Sequence, residues 1–152
     1  MAVGKLLAVA ARPALVLVTL VSCSSNRESS EVTTVVFDGQ TQTITGQVTC
    51  TTQPDGKLVI LAADGQKTVR VLLSREHQLV VDKIGLRIPG ASGFTDNSSE
   101  VWATKVDDNY TINGRMPPNA GETTWHQFEI ETTCRYEVPP PYQPPQVGNG
   151  RP

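Results

Sequence analysis

Metal ligands, long apolar runs, basic clusters and helical stripes are all scarce in this chain, and each shortage removes a class of function. The chain has two histidines and three cysteines. Cys50 and Cys134 lack CxxC spacing and His77 lies far from His126, so no tetrahedral metal set forms and no cofactor is implied. The longest apolar span, Leu6 to Ser22, is broken by Arg12 and Pro13 and falls short of the roughly 20 residues that cross a bilayer. No run of Lys or Arg occurs, none alternates with aromatics, and a nucleic acid backbone would find little to pair with.

Catalytic signatures are as sparse. Gly90-Ala91-Ser92-Gly93 is one residue short of a nucleophile elbow and has no helix after it, so it reads as a loop. Asp107-Asp108-Asn109 lacks the spacing and closing glutamate of a calcium loop and reads as a turn. His77 sits in a polar turn. His126 lies on the inward parity near a strand start and reads as a partly buried structural histidine. Glu129 and Glu131 share the polar face of their strand, about 7 Å apart. No catalytic residue is assigned, and the chain is not read as an enzyme.

What is present begins with Leu20-Val21-Ser22-Cys23. A charged start with Lys5 and Arg12, an apolar segment and a small residue directly before a cysteine form the order of a bacterial lipoprotein signal. Residues 1–22 are then a signal peptide cleaved between Ser22 and Cys23. The Cys23 thiol would take a diacylglycerol and its freed amine an N-palmitoyl chain. Each buried methylene adds roughly 0.8 kcal/mol of membrane affinity, so several chains hold a soluble domain firmly. The alternative is an ordinary signal peptide with a cysteine near its cut. The anchored reading places the domain on the extracytoplasmic side of the cell membrane or in the outer envelope.

The mature chain, Cys23 to Pro152, keeps 11 basic against 15 acidic residues and is long enough for one domain. With Cys23 acylated, the odd cysteine count resolves: Cys50 and Cys134 remain as a pair for an oxidising compartment. Residues 23–31 are polar and read as a lipidated tether, 32–137 as the domain, and 138–152 as a proline-rich disordered tail.

Within the domain, short segments alternate with period two between turn residues, and no helical stripe is present. Thr43 to Cys50 places Ile44, Gly46, Val48 and Cys50 on one face. Thr124 to Tyr136 places His126, Phe128, Ile130, Thr132 and Cys134 on one face. Both cysteines therefore share the apolar parity that a bridge requires. Glu100 to Val106 is read with Trp102, Thr104 and Val106 inward, beside Tyr110, Ile112, Gly114 and Met116. Asp38-Gly39, Asp55-Gly56 and Asp64-Gly65 mark turns. The expected fold is a single, mainly β, antiparallel domain, a sandwich or an open barrel.

Three blocks carry a resemblance to a known family. They are Asp38-Gly39 with Ile44-Thr45-Gly46-Gln47-Val48-Thr49-Cys50, then Ala103-Thr104-Lys105 with Tyr110-Thr111-Ile112-Asn113-Gly114, and Phe128-Glu129-Ile130-Glu131-Thr132-Thr133-Cys134. With the lipidation signal they make the chain resemble the mycobacterial 19 kDa lipoprotein antigen family. The resemblance implies a surface antigen without known catalytic activity, a Cys50–Cys134 disulfide, and acyl chains of the kind that host Toll-like receptors detect. It also implies an envelope lipid or glycolipid as a ligand.

The leading expectation is a membrane-anchored envelope lipoprotein whose β domain binds without catalysis. The second is a lipid or glycolipid carrier with a cavity lined by Val71, Leu73, Trp102, Ile112 and Phe128. The third, a hydrolase, would need His126 or the Glu129–Glu131 pair to converge in a cleft.

Overall fold

The computed structural model describes residues 31–139. Ser22, Cys23 and the rest of the signal and tether before Glu31, and the tail beyond Pro139, lie outside the described residues.

Among the described residues the strands are β1 (Glu31–Phe37), β2 (Gln40–Thr52), β3 (Leu58–Ala63), β4 (Thr68–Ser74), β5 (Val80–Ile88), β6 (Ala91–Thr95), β7 (Val101–Val106), β8 (Asn109–Met116), β9 (His126–Thr133) and β10 (Glu137–Val138). They form one sheet in the order β6-β5-β4-β3-β2-β1-β9-β8-β7. All neighbours on this path are antiparallel, and β10 alone runs parallel, beside Cys50 and Thr51 of β2. The edges come together without hydrogen bonding, β5 packing on β7 and β6 on β8, so the sheet curls into an open barrel.

The curl begins in β2. This strand pairs with β1 through Gly46 and with β3 from Gln47 onward, so it belongs to two halves of the sheet in turn. A side chain at position 46 would collide with the Ala63 carbonyl oxygen, so only glycine permits the crossing. The front half holds β7, β8, β9, β1 and the start of β2; the back half holds the end of β2 with β3 to β6.

Inward residues of both halves share one core that includes Val35, Ile44, Ile60, Val71, Ile84, Ile112 and Ile130. Each such side chain contributes about 1.5–3 kcal/mol when fully buried. The buried hydroxyls of Thr33 and Thr132, opposite each other on β1 and β9, satisfy one another at 2.8 Å. The disulfide joins Cys50, late in β2, to Cys134, just past β9, with Cα atoms 5.9 Å apart. It therefore ties the back half to the front half.

Three departures from the sequence expectation have physical causes. The alternation that breaks at Asp82 belongs to one strand, β5, from Val80 to Ile88, in which Asp82 is the extra residue of a bulge opposite Leu72 and Leu73. Ala91-Ser92-Gly93 does not end a strand but starts β6, because the turn is confined to Pro89-Gly90. Val138, placed in the tail by composition, is held in β10: the Arg75 guanidinium donates to both Glu137 carboxylate oxygens at 2.8 Å and to Thr52 Oγ1 at 3.1 Å.

Candidate functional site

The most elaborate polar cluster lies at one pole of the barrel, where β1 ends and β9 begins. Asp38 and Gly39 connect β1 to β2 with φ angles of +49° and +79°, the left-handed pair that a two-residue hairpin needs. That geometry turns the Asp38 carboxylate back onto β9. Asp38 N–H donates to the Gln127 carbonyl at 2.8 Å, and Gln127 N–H donates to Asp38 Oδ1 at 2.9 Å. Oδ2 is left facing His126 Nδ1, at 2.7 Å. The other ring nitrogen, Nε2, lies 2.7 Å from Glu122 Oε2. The imidazole stacks on Phe37 with centroids 5.0 Å apart.

Glu122 is itself held by the Asn119 N–H at 2.9 Å, and Asn119 Nδ2 donates across to the Ser92 carbonyl at 2.9 Å. Gln42 Nε2 makes a second crossing to the Pro89 carbonyl at 3.3 Å. These bonds brace the β5–β6 hairpin of the back half against the front half. Between them lies a groove of about 860 Å³, lined by Asp38, Gln40, Arg87, Ser92, Glu122 and His126 among others.

Ionised carboxylate oxygens at both ring nitrogens only accept, an arrangement that favours the doubly protonated imidazolium, in which both nitrogens donate. The Asp38 carboxylate, then Glu122, raise the His126 pKa against a smaller opposing effect of burial. Hydrogen bonding to His126 in turn lowers the pKa of Asp38 and of Glu122. In that protonated form the ring has no lone pair to act as a base or to bind a metal. Among the described residues, no group of three His, Cys, Asp or Glu side chains is arranged to hold a metal ion.

The remaining expected site residues scatter. Val71, Leu73, Ile112 and Phe128 are buried in the common core. Trp102 is not: it is 60 % exposed on the outer face, and its inward placement is corrected. The reason is the hairpin register. Val106 pairs with Asn109 across a two-residue loop, so the inward even positions of β8 face odd positions of β7, and Val101 and Ala103 point inward instead. Glu129 and Glu131 occupy the outer face of β9, the opposite face from Phe128 and Ile130, so they do not converge with His126. His77 is exposed, and Asp107-Asp108 forms the β7–β8 turn. Asp38 is legible only as a turn residue, and Gln42, Arg87, Asn119 and Glu122 have no signal in the sequence. Asp38 is 88 residues from His126, and only the β1–β9 pairing joins them.

The fold and site define a small, disulfide-stapled β module that carries a braced polar groove. Its family follows from comparison: the chain belongs to the Mycobacterium 19 kDa lipoprotein antigen family, whose model matches residues 26–134 and so ends on the second bridged cysteine. This is a family of lipoprotein antigens, which suggests an envelope-associated location, and it is not a known enzyme family. No curated protein matches the chain.

Proposed function

We propose that this protein is a lipid-anchored envelope lipoprotein whose domain binds a neutral, hydroxyl-rich ligand in the polar groove without transforming it. The observation that carries the reading is the groove itself. Gln40, Gln42, Ser92 and Asn119 place amides and a hydroxyl around the His126 imidazolium, whose two carboxylate partners, Asp38 and Glu122, leave one negative charge that Arg87 of the same groove offsets. Such groups both donate and accept, as a polyol requires. The carrier alternative needs an apolar cavity, whereas four of its five lining residues belong to the common core and Trp102 faces outward. Those placements support the surface groove instead.

The anchor is tested by mass spectrometry of the protein from its native membrane, with Cys23→Ala as control. An acyl mass on Cys23 and loss of membrane partitioning in the variant are expected; a bare Cys23 would sink the anchor. The groove is tested by NMR of the His126 imidazole during titration with neutral di- to tetrasaccharides. Shifts at His126, Ser92 and Asn119 that Gln42→Ala weakens are expected, and silence across the panel removes the binding reading.

A further inference from the structure

The two outer faces of the barrel both expose apolar side chains but differ in charge. On the front half, Glu129 and Glu131 stand beside Thr34 and Thr111, with the exposed Trp102 of β7 on the same side, and among the described residues no cation is paired with either carboxylate there. On the back half the cross-strand registers Leu61↔Arg70↔Gly85↔Phe94 and Leu72↔Lys83, with Arg87 facing Ser92, set three cations among apolar side chains. Arg70, Lys83 and Arg87 are all exposed, and Phe94 and Leu61 are 56 % and 37 % exposed. Phe94 lies over Gly85, where an added Cβ would stand 3.7 Å from its ring, in ordinary van der Waals contact.

Asp82, the carboxylate next to Lys83 in the β5 bulge, is already bound by Lys57 at 2.9 Å and by the Ser74 hydroxyl at 2.7 Å. The face is therefore net positive, with an aromatic ring and aliphatic side chains among its charges. We propose that this back face docks flat on an anionic phospholipid bilayer. Lys and Arg supply attraction to the headgroup phosphates, and Phe94 and Leu61 enter the acyl boundary. The acidic front face is repelled and points away, which fixes the orientation.

Chain geometry permits the posture. Glu31, where β1 starts, pairs with Gly46, and the next residue of β2, Gln47, pairs with Ala63 at the border of the back face. Cys23 lies eight residues earlier and can reach up to about 29 Å from Glu31. The back face from β2 to β6 is about 19 Å wide at ordinary strand spacing. Tethering rests on the Cys23 anchor proposed above, but the face can be tested without it.

The test uses the mature chain, residues 23–152, with Cys23→Ala, in flotation assays with vesicles of phosphatidylcholine alone or containing 30 % phosphatidylglycerol. Binding to the anionic vesicles alone, lost in 0.5 M salt, is expected. Each cation removed should lower partitioning about fivefold at moderate ionic strength. Arg70→Gln/Lys83→Gln/Arg87→Gln should therefore lose about a hundredfold, whereas Glu129→Gln/Glu131→Gln should lose nothing. All five positions are exposed, and unchanged circular dichroism checks that each variant folds. Equal binding to both vesicle types, no binding to either, or full binding by the triple variant overturns the proposal. So does concentration-dependent dimerisation that the triple variant abolishes while vesicles bind neither protein, which would assign the face to a second copy.

Discussion

Opening the Cys50–Cys134 bridge, by reduction or by Cys50→Ala/Cys134→Ala, should cost stability chiefly through the unfolded chain. The bridge closes a loop with a sequence separation of 84 residues that takes in both halves of the sheet. Confining a loop of that length gives about 4.5 kcal/mol in the chain-entropy model, against a typical measured range of about 2–4 kcal/mol. Native contacts around the sulfurs should survive. Cys134 N–H still donates to the Asp108 carbonyl at 2.8 Å, and Glu137 still pairs beside Cys50 under the Arg75 clamp. The expected loss is therefore about 3 kcal/mol, or a fall in Tm of roughly 12 °C for a domain of this size. Urea unfolding followed by far-ultraviolet circular dichroism, with and without reductant, measures it. The slope should also steepen on reduction, because an unbridged unfolded chain expands and exposes more surface. A loss below about 1 kcal/mol with an unchanged slope would refute the reasoning, since the loop would then not be what restricts the unfolded state.

The register of the β7–β8 hairpin predicts a sharp contrast between neighbours. Ile112→Ala should cost about 2–5 kcal/mol by emptying core volume, whereas Trp102→Ser should stay within about 0.5 kcal/mol as an exposed substitution; equal costs would overturn the assigned parity. The polar cluster predicts a pH window. His126 has a folded pKa raised above 6.5, so its contribution is complete below 6.5 and is lost as pH rises through the raised value. Asp38 and Glu122, lowered from 3.8 and 4.5, contribute above those values and lose it as pH falls through their folded pKa values. The stability gap between the wild type and His126→Gln should accordingly be widest between about pH 4.5 and 6.5 and shrink on either side; a gap that stays constant to pH 10 counts against the imidazolium.

Much of the barrel is legible in period-two alternation, because one buried face imposes it. Ile44 and Cys50 on β2, and Phe128, Ile130 and Thr132 on β9, are buried where their parity puts them. Trp102 shows where that logic fails: on an edge strand with two exposed large residues, hydrophobicity points to the wrong face, and only the two-residue loop decides. β6 was hidden because Pro89-Gly90 and Gly93 read as one breaker, although the turn needs only the first two. The groove was hidden for a different reason. His126 could be placed on its strand, but its carboxylate partners come from a hairpin tip and from a connecting segment, and no local spacing encodes that meeting.

The small strand β10 bears on how this chain could be re-cut. β1 reaches Gly46 along one flank of β2, and β10 takes up the same flank again at Cys50, only four residues further on. Entry and exit of the domain are thus separated by about 13 Å of one strand. A short glycine-serine linker could join them, and new ends opened at the exposed Gly65-Gln66 turn would yield a circular permutant with the same strand pairings. Such a permutant would keep the bridge while uncoupling the groove and the basic face from any N-terminal attachment.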